Sequence, residues 1–301
     1  MRMIREAVPS IGSLWSKEFL PAKCRRTQCY TETRYFLAPP PHMHVFETLP
    51  WWGYAWLAVV MVASGFFHGL IGFGFPIIAT PLLTLMFDFK TALLLSVLPG
   101  FITTILNAFR GGNLGASLGR FWFMPAFHLT GAFLGTLILI RAPSEPFILL
   151  LAVLLVLYLY RERLGKLDVP VVKAHWIVFG AAAGLAGGIF EATANVALAP
   201  LIIYFMILGV APAALVQVLN LCFMFGKATQ IVTWTTAGNV PLGFWLQCLP
   251  WALLSLILLL AGERIRRRVS VETYMGWLRK FLWAMVALLI VGFMRAVLEK
   301  S

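Results

Sequence analysis

S-G-F-F-H-G-L-I-G-F-G-F-P-I-I-A-T-P, residues 64–81, decides how this chain is read. It lies in an apolar run from Trp51 to Phe87, about 37 residues where a single membrane span needs roughly 20. Gly65, Gly69, Gly72 and Gly74 are followed by Pro76 and Pro81, and residues of this kind weaken a helix and leave backbone groups unpaired. In lipid such a break survives only where protein or a polar cavity surrounds it. The run is therefore an interrupted helix, its first segment ending near Gly72. A second stretch, G-L-A-G-G-I-F-E-A-T-A-N-V-A-L-A-P at residues 184–200, repeats the plan. Placing Gly69 on Gly188 also places Pro81 on Pro200. The chain reads as two halves, each beginning with a broken helix.

Hydrophobic residues make up 60% of the chain and charged ones 12%, too little polar surface for a soluble globule of this length. The fold class is an all-α integral membrane protein with the lipid bilayer as its solvent. The formal charge of +12 sits in short loops between apolar spans, so it reports orientation and implies no nucleic-acid partner. Cys24 and Cys29 have no His or further Cys nearby, and Cys222 and Cys248 lie in apolar segments; neither a metal site nor a disulfide is expected. Gly72-x-Gly74 lacks the third glycine and the acidic residue of a dinucleotide site, so no cofactor follows from it. No G-x-x-x-x-G-K-[ST] motif is present, and any ATPase would be another chain.

Residues 1–50 are read as a disordered polar tail with about seven Arg or Lys, with an Arg-rich targeting segment or initiation at Met43 as alternatives. The first transmembrane repeat covers 51–160, with spans at Thr91–Phe109, Phe121–Ile140 and Phe147–Tyr160, and a Gly-rich loop at 110–120. A basic cytoplasmic linker covers 161–173. The second repeat, 174–301, holds a broken segment from Ala174 to Gly209 and spans at Pro212–Thr236, Pro241–Ala261 and Phe281–Leu298. If each broken stretch crosses once there are eight spans; if each crosses twice there are ten membrane segments. Only the ten-segment count gathers three basic loops on one side: Arg110 with Arg120, then Arg161, Arg163, Lys166 and Lys173, then Arg264, Arg266, Arg267, Arg268, Arg279 and Lys280. Five segments per half make the halves inverted repeats, with both termini non-cytoplasmic and a substrate site near the midplane where the breaks meet. Trp51, Trp52, Tyr54 and Trp56, and Trp277 and Trp283 near the last span, read as interfacial belts.

G-L-I-G-F-G-F-P-I-I-A-T-P-L-L at 69–83, with a weaker echo at 184–203, resembles the TauE/SafE family of sulfite and organosulfonate exporters and permeases. Gly69, Gly72, Gly74, Pro76 and Pro81 match the first motif of that family, and the likeness runs from about residue 54 to 298. The second motif departs from it: Glu191-Ala-Thr-Ala-Asn195 stands where family members often carry a Gly-rich, Pro-containing turn. The resemblance implies eight spans and transport of a small sulfur-containing or carboxylate anion.

Lys227 lies well inside a span, where an unpaired charge costs roughly 2.5–3.5 kcal/mol, so it needs a partner. It is read as the cationic contact for an anion, as half of a structural ion pair with Glu191, or as a lysine snorkelling to the interface. Glu191 is a candidate proton carrier, and His68 either a second one or a ring bonded to an exposed carbonyl of the broken helix. Gly72, Gly74, Thr193, Asn195, Asn220 and Gln230 complete the expected substrate site. Asn107, Gln217 and Thr229 can serve either substrate or neighbouring helices.

The function these residues support is a secondary transporter for a small anion in the plasma or inner membrane, multi-pass and not an enzyme. A membrane-embedded enzyme or a structural membrane subunit using Glu191 and His68 is the competing reading. The oligomeric state is left open, a homo-oligomer included.

Overall fold

The computed structural model describes residues 45–110, 114–266 and 271–298. The expected tail over residues 1–50 lies outside the described residues up to residue 44, as do Cys24 and Cys29. Every regular element among the described residues is a helix, and no strand occurs among them. A single turn, α1 (Val45–Thr48), accepts the Tyr54 hydroxyl on the carbonyl of Phe46 and precedes the first long helix.

The first half contains α2 (Trp51–Ile71), α3 (Phe75–Leu83), α4 (Phe89–Arg110), α5 (Leu114–Phe121), α6 (Phe123–Arg141) and α7 (Glu145–Leu159). Short helices α8 (Arg161–Leu164) and α9 (Pro170–Ala174) occupy the linker. The second half contains α10 (Trp176–Ala194), α11 (Leu198–Ile207), α12 (Pro212–Thr236), α13 (Leu242–Arg266) and α14 (Val271–Leu298). Among the described residues, six helices (α2, α4, α6, α10, α12 and α13) are long and apolar enough to cross a membrane. At 15 residues, α7 is about 22 Å long and falls short of a full hydrocarbon core.

Two boundaries differ from the sequence reading. The Gly-rich stretch expected as a loop is helical from Leu114 to Phe121. The last helix starts at Val271 instead of Phe281, so Arg279 and Lys280 lie within it as exposed side chains. Long cationic side chains tolerate such a place because their stems lie along the helix while the heads reach water.

Both broken helices reverse direction. After Gly72 the short α3 runs back along α2, where the Trp56 indole donates to the carbonyl of Leu82 at 3.2 Å. After Asn195 the short α11 runs back along α10, and the Tyr204 hydroxyl donates to the carbonyl of Trp176 at 2.8 Å. Each returning helix, 9 and 10 residues long, spans about 14–15 Å, half a bilayer core.

Packing exchanges elements between the halves. α2 lies against α13 and α10 against α6, while α12 packs on α6 and α4 on α13; α4 meets α12, and α7 meets α14. Small residues allow the first two pairs to approach closely, as lipid-embedded helices require. A Cβ on Gly65 would strike the backbone of Ser255, and one on Gly188 would strike the carbonyl of His128.

Candidate functional site

The second break is built around Asn195. It caps α10 in the left-handed conformation at φ 58, which asparagine tolerates better than most residues, and its N–H bonds the carbonyl of Glu191 at 2.8 Å. This turn aims the side chain into the bundle. Its Nδ2 donates to Thr80 Oγ1 of α3 at 2.7 Å and to Ser96 Oγ of α4 at 2.5 Å. Its Oδ1 accepts a hydrogen bond from Lys227 Nζ of α12. Four helices thus converge on one amide.

One turn earlier on α10, Glu191 is shared between two bases. Its Oε1 lies 3.4 Å from Lys227 Nζ and its Oε2 lies 2.5 Å from His128 Nε2 on α6. The carboxylate leans towards His128, because a charge-assisted N–O bond is ordinarily about 2.7–2.9 Å and the lysine contact exceeds that. Side-chain exposure is zero for Lys227 and His128 and 2% for Glu191. Gly226, next to Lys227, makes the room: a Cβ there would collide with Glu191 Oε2 and sit 2.9 Å from His128 Nε2. Gly100 of α4 likewise leaves room for the lysine stem, since a Cβ would meet Lys227 Cε at 3.4 Å.

The first break has a different chemistry. Gly72 and Gly74 hold φ 93 and 98, a region that disfavours any side chain. The Gly72 carbonyl accepts from Asn107 Nδ2 of α4 at 3.1 Å and from Asn220 Nδ2 of α12 at 2.8 Å, and Asn220 also donates to the carbonyl of Val216 at 2.8 Å. His68 is buried with its ring facing Asn220, but neither ring nitrogen completes a hydrogen bond. The expected bond from His68 to an exposed carbonyl is therefore replaced: two asparagines from other helices reach the freed carbonyl first.

Of the other residues singled out, Thr193 donates to the carbonyl of Ile189 on its own helix at 2.7 Å. Gln230 is buried with neither end of its amide hydrogen-bonded. Gln217 accepts from Ser117 at 2.8 Å, which ties α12 to α5. Thr229 bonds back to Phe225 at 2.8 Å on an exposed face. Glu191 and His68, paired in the enzyme reading, belong to different breaks.

The Asn195–Thr80 bond and α12 both link the two breaks. α12 touches the first at Asn220 and the second at Lys227, about 10 Å further along its axis. The caps also revise the correspondence between the halves. The N–H groups of Gly72 and Asn195 bond the carbonyls of His68 and Glu191, so these pairs occupy equivalent places, one helical turn away from the Gly69-on-Gly188 alignment.

His128, Thr80 and Ser96 escaped the sequence reading. A signal for His128 was present: an ionisable side chain inside an apolar span, the same criterion that singled out Lys227. Thr80 and Ser96 carry no such signal, because hydroxyls in spans commonly bond their own helix.

Neither a curated protein nor a solved structure matches the chain. The family model described as sulfite exporter TauE/SafE matches residues 57–293. That match takes in both breaks, the reversing helices α3 and α11 and every residue gathered around Asn195, and the chain therefore belongs to the sulfite exporter TauE/SafE family of multi-pass membrane transporters.

Proposed function

We propose that the protein is a secondary transporter of the cell membrane that moves a small anion of the sulfite, organosulfonate or carboxylate kind, with Lys227 as its cationic contact. The observation that carries this reading is the wholly buried Lys227 ammonium, whose Nζ is held by Asn195 and only loosely by Glu191 at 3.4 Å. An anion can take the place of that long contact while Glu191 keeps its short bond to His128. The N-terminus of α11, at Leu198, follows Asn195 by three residues and adds partial positive charge at the same end. Gln230 of α12 offers a buried amide whose hydrogen-bonding capacity is unused.

The reading includes two inverted repeats and ten membrane segments. Its support is the reversal of α3 and α11, together with the exchanged packing of α2 on α13 and α10 on α6. Basic segments also cluster: Arg110 pairs with Glu263 at 3.1 Å, and Arg279 lies 3.6 Å from Glu162 of the linker. Those contacts put the ends of α4 and α13, the linker and the start of α14 at one end of the bundle, which the positive-inside rule assigns to the cytoplasm.

Reconstitution of the full chain in proteoliposomes tests the transport reading with radiolabelled sulfite, methanesulfonate and acetate. Saturable uptake of at least one is expected, and Lys227→Met should weaken it roughly ten- to hundredfold, the worth of one hydrogen bond to a charged group. Absence of uptake for all three by protein shown to be folded would end this reading.

A further inference from the structure

We propose that His128 and Glu191 together hold a proton that travels with the anion, so that one proton and one monoanion occupy the site as a neutral pair. This rests on the transporter reading and names its coupling ion and the charge of its cargo.

The argument is a charge count in a dry site. With Lys227 as an ammonium, Glu191 as a carboxylate and His128 as a neutral imidazole, the buried cluster carries no net charge. Adding an anion alone would leave a net negative charge among side chains that are almost wholly buried, a costly state. Adding a proton with the anion restores balance. The proton has a place to go: His128 Nε2 and Glu191 Oε2 are 2.5 Å apart, and His128 Nδ1 is a second ring nitrogen with no hydrogen-bond partner. Whether the protonated pair is written as imidazolium with carboxylate or as imidazole with carboxylic acid, its charge rises by one. Lys227 then loses its counter-charge and is free to hold an anion.

Other titratable groups do not supply this proton. From α12, Lys227 already carries its proton and Cys222 is a buried thiol with no charge to exchange. From α11, Tyr204 donates to Trp176 at the far end of α10. From α7, Tyr158 sits at the C-terminal end of its helix, and from α6 Arg141 ends the helix that carries His128. From α2, His68 faces Asn220 at the first break, about 10 Å along α12 from Lys227. Glu191 and His128 are therefore the pair that can change charge beside Lys227. Gly226 and Gly187 keep their approach open, since a Cβ on Gly187 would lie 3.3 Å from His128 Nδ1. The cargo follows: a hydrogensulfite, sulfonate or carboxylate monoanion matches one proton, whereas a dianion requires two.

The test uses the full chain in proteoliposomes with methanesulfonate, whose single negative charge does not titrate, and with acetate and sulfite as further probes. The expected result is uptake of about one proton per methanesulfonate from a weakly buffered medium, with apparent affinity falling roughly tenfold per pH unit above the titration of the pair. Glu191→Gln removes the counter-charge permanently, so it should bind methanesulfonate independently of pH and lose accumulation driven by a proton gradient. His128→Gln should flatten the pH dependence as well. Because either variant can fail to fold, the proton count on the unaltered protein decides by itself. Methanesulfonate uptake without proton uptake, or gradient-driven accumulation by Glu191→Gln at the parent level, would overturn the proposal while leaving the transporter reading in place. Failure of all three anions to cross would overturn both.

Discussion

At the scale of single residues, the cluster around Glu191 depends on what its neighbours lack. Gly226 has no side chain, and Glu191 Oε2 and His128 Nε2 fill the space a methyl would take. Gly226→Ala should therefore separate the carboxylate from His128 at an overpacking cost of about 1–3 kcal/mol. A lowered thermal midpoint in detergent together with altered pH dependence of uptake would show it; an unchanged midpoint would mean the carboxylate moves aside freely. Lys227→Met strands a buried carboxylate, which ordinarily costs about 3–5 kcal/mol. His128 still serves Glu191 at 2.5 Å, so the loss should fall at the low end of that range. Adding Glu191→Gln should restore expression without restoring transport. Wild-type anion affinity in the double variant would remove Lys227 from the anion's path.

At the scale of elements, the reversing helices are each fastened by one aromatic hydrogen bond and one cap. Tyr204→Phe removes the donor that pins α11 to Trp176, a loss of about 1 kcal/mol, and should lower the thermal midpoint with little change in anion affinity. The cap at Asn195 can be dissected. Asn195→Gly keeps the φ of 58 and loses the bonds to Thr80, Ser96 and Lys227, whereas Asn195→Ala also meets the left-handed penalty of roughly 1–2 kcal/mol. Alanine should thus be the less stable of the two in a side-by-side melt. Equal stability would mean that the turn relaxes out of that conformation.

At the scale of the whole molecule, the question is how many times the chain crosses. With α3 and α11 returning through the bilayer, the linker near Lys166 and the turn at Gly238 between α12 and α13 lie on opposite faces; with single crossings they share a face. Single cysteines at Lys166 and Gly238, probed with a membrane-impermeant thiol reagent in intact cells, should react on opposite sides. Cys24 and Cys29 are first replaced by serine, and the native Cys222 and Cys248 are buried and contribute little background. Labelling from the same side would remove the inverted-repeat reading.

The sequence by itself determined that the chain belongs in a bilayer, where its helices break, and that Lys227 and Glu191 sit in apolar surroundings. Those facts follow from hydropathy and from the backbone limits of glycine and proline, which act over a few neighbouring residues. Only the tertiary structure decided what each buried group meets. Glu191 finds His128 at a separation of 63 positions, and Asn195 finds Thr80 at 115, because α10 packs on α6 and α3 folds back into the bundle. The caps at Gly72 and Asn195 are offset by about one turn from the alignment of Gly69 with Gly188. Glycine spacing in a span reflects helix contacts as well as breaks, and sequence periodicity does not tell them apart.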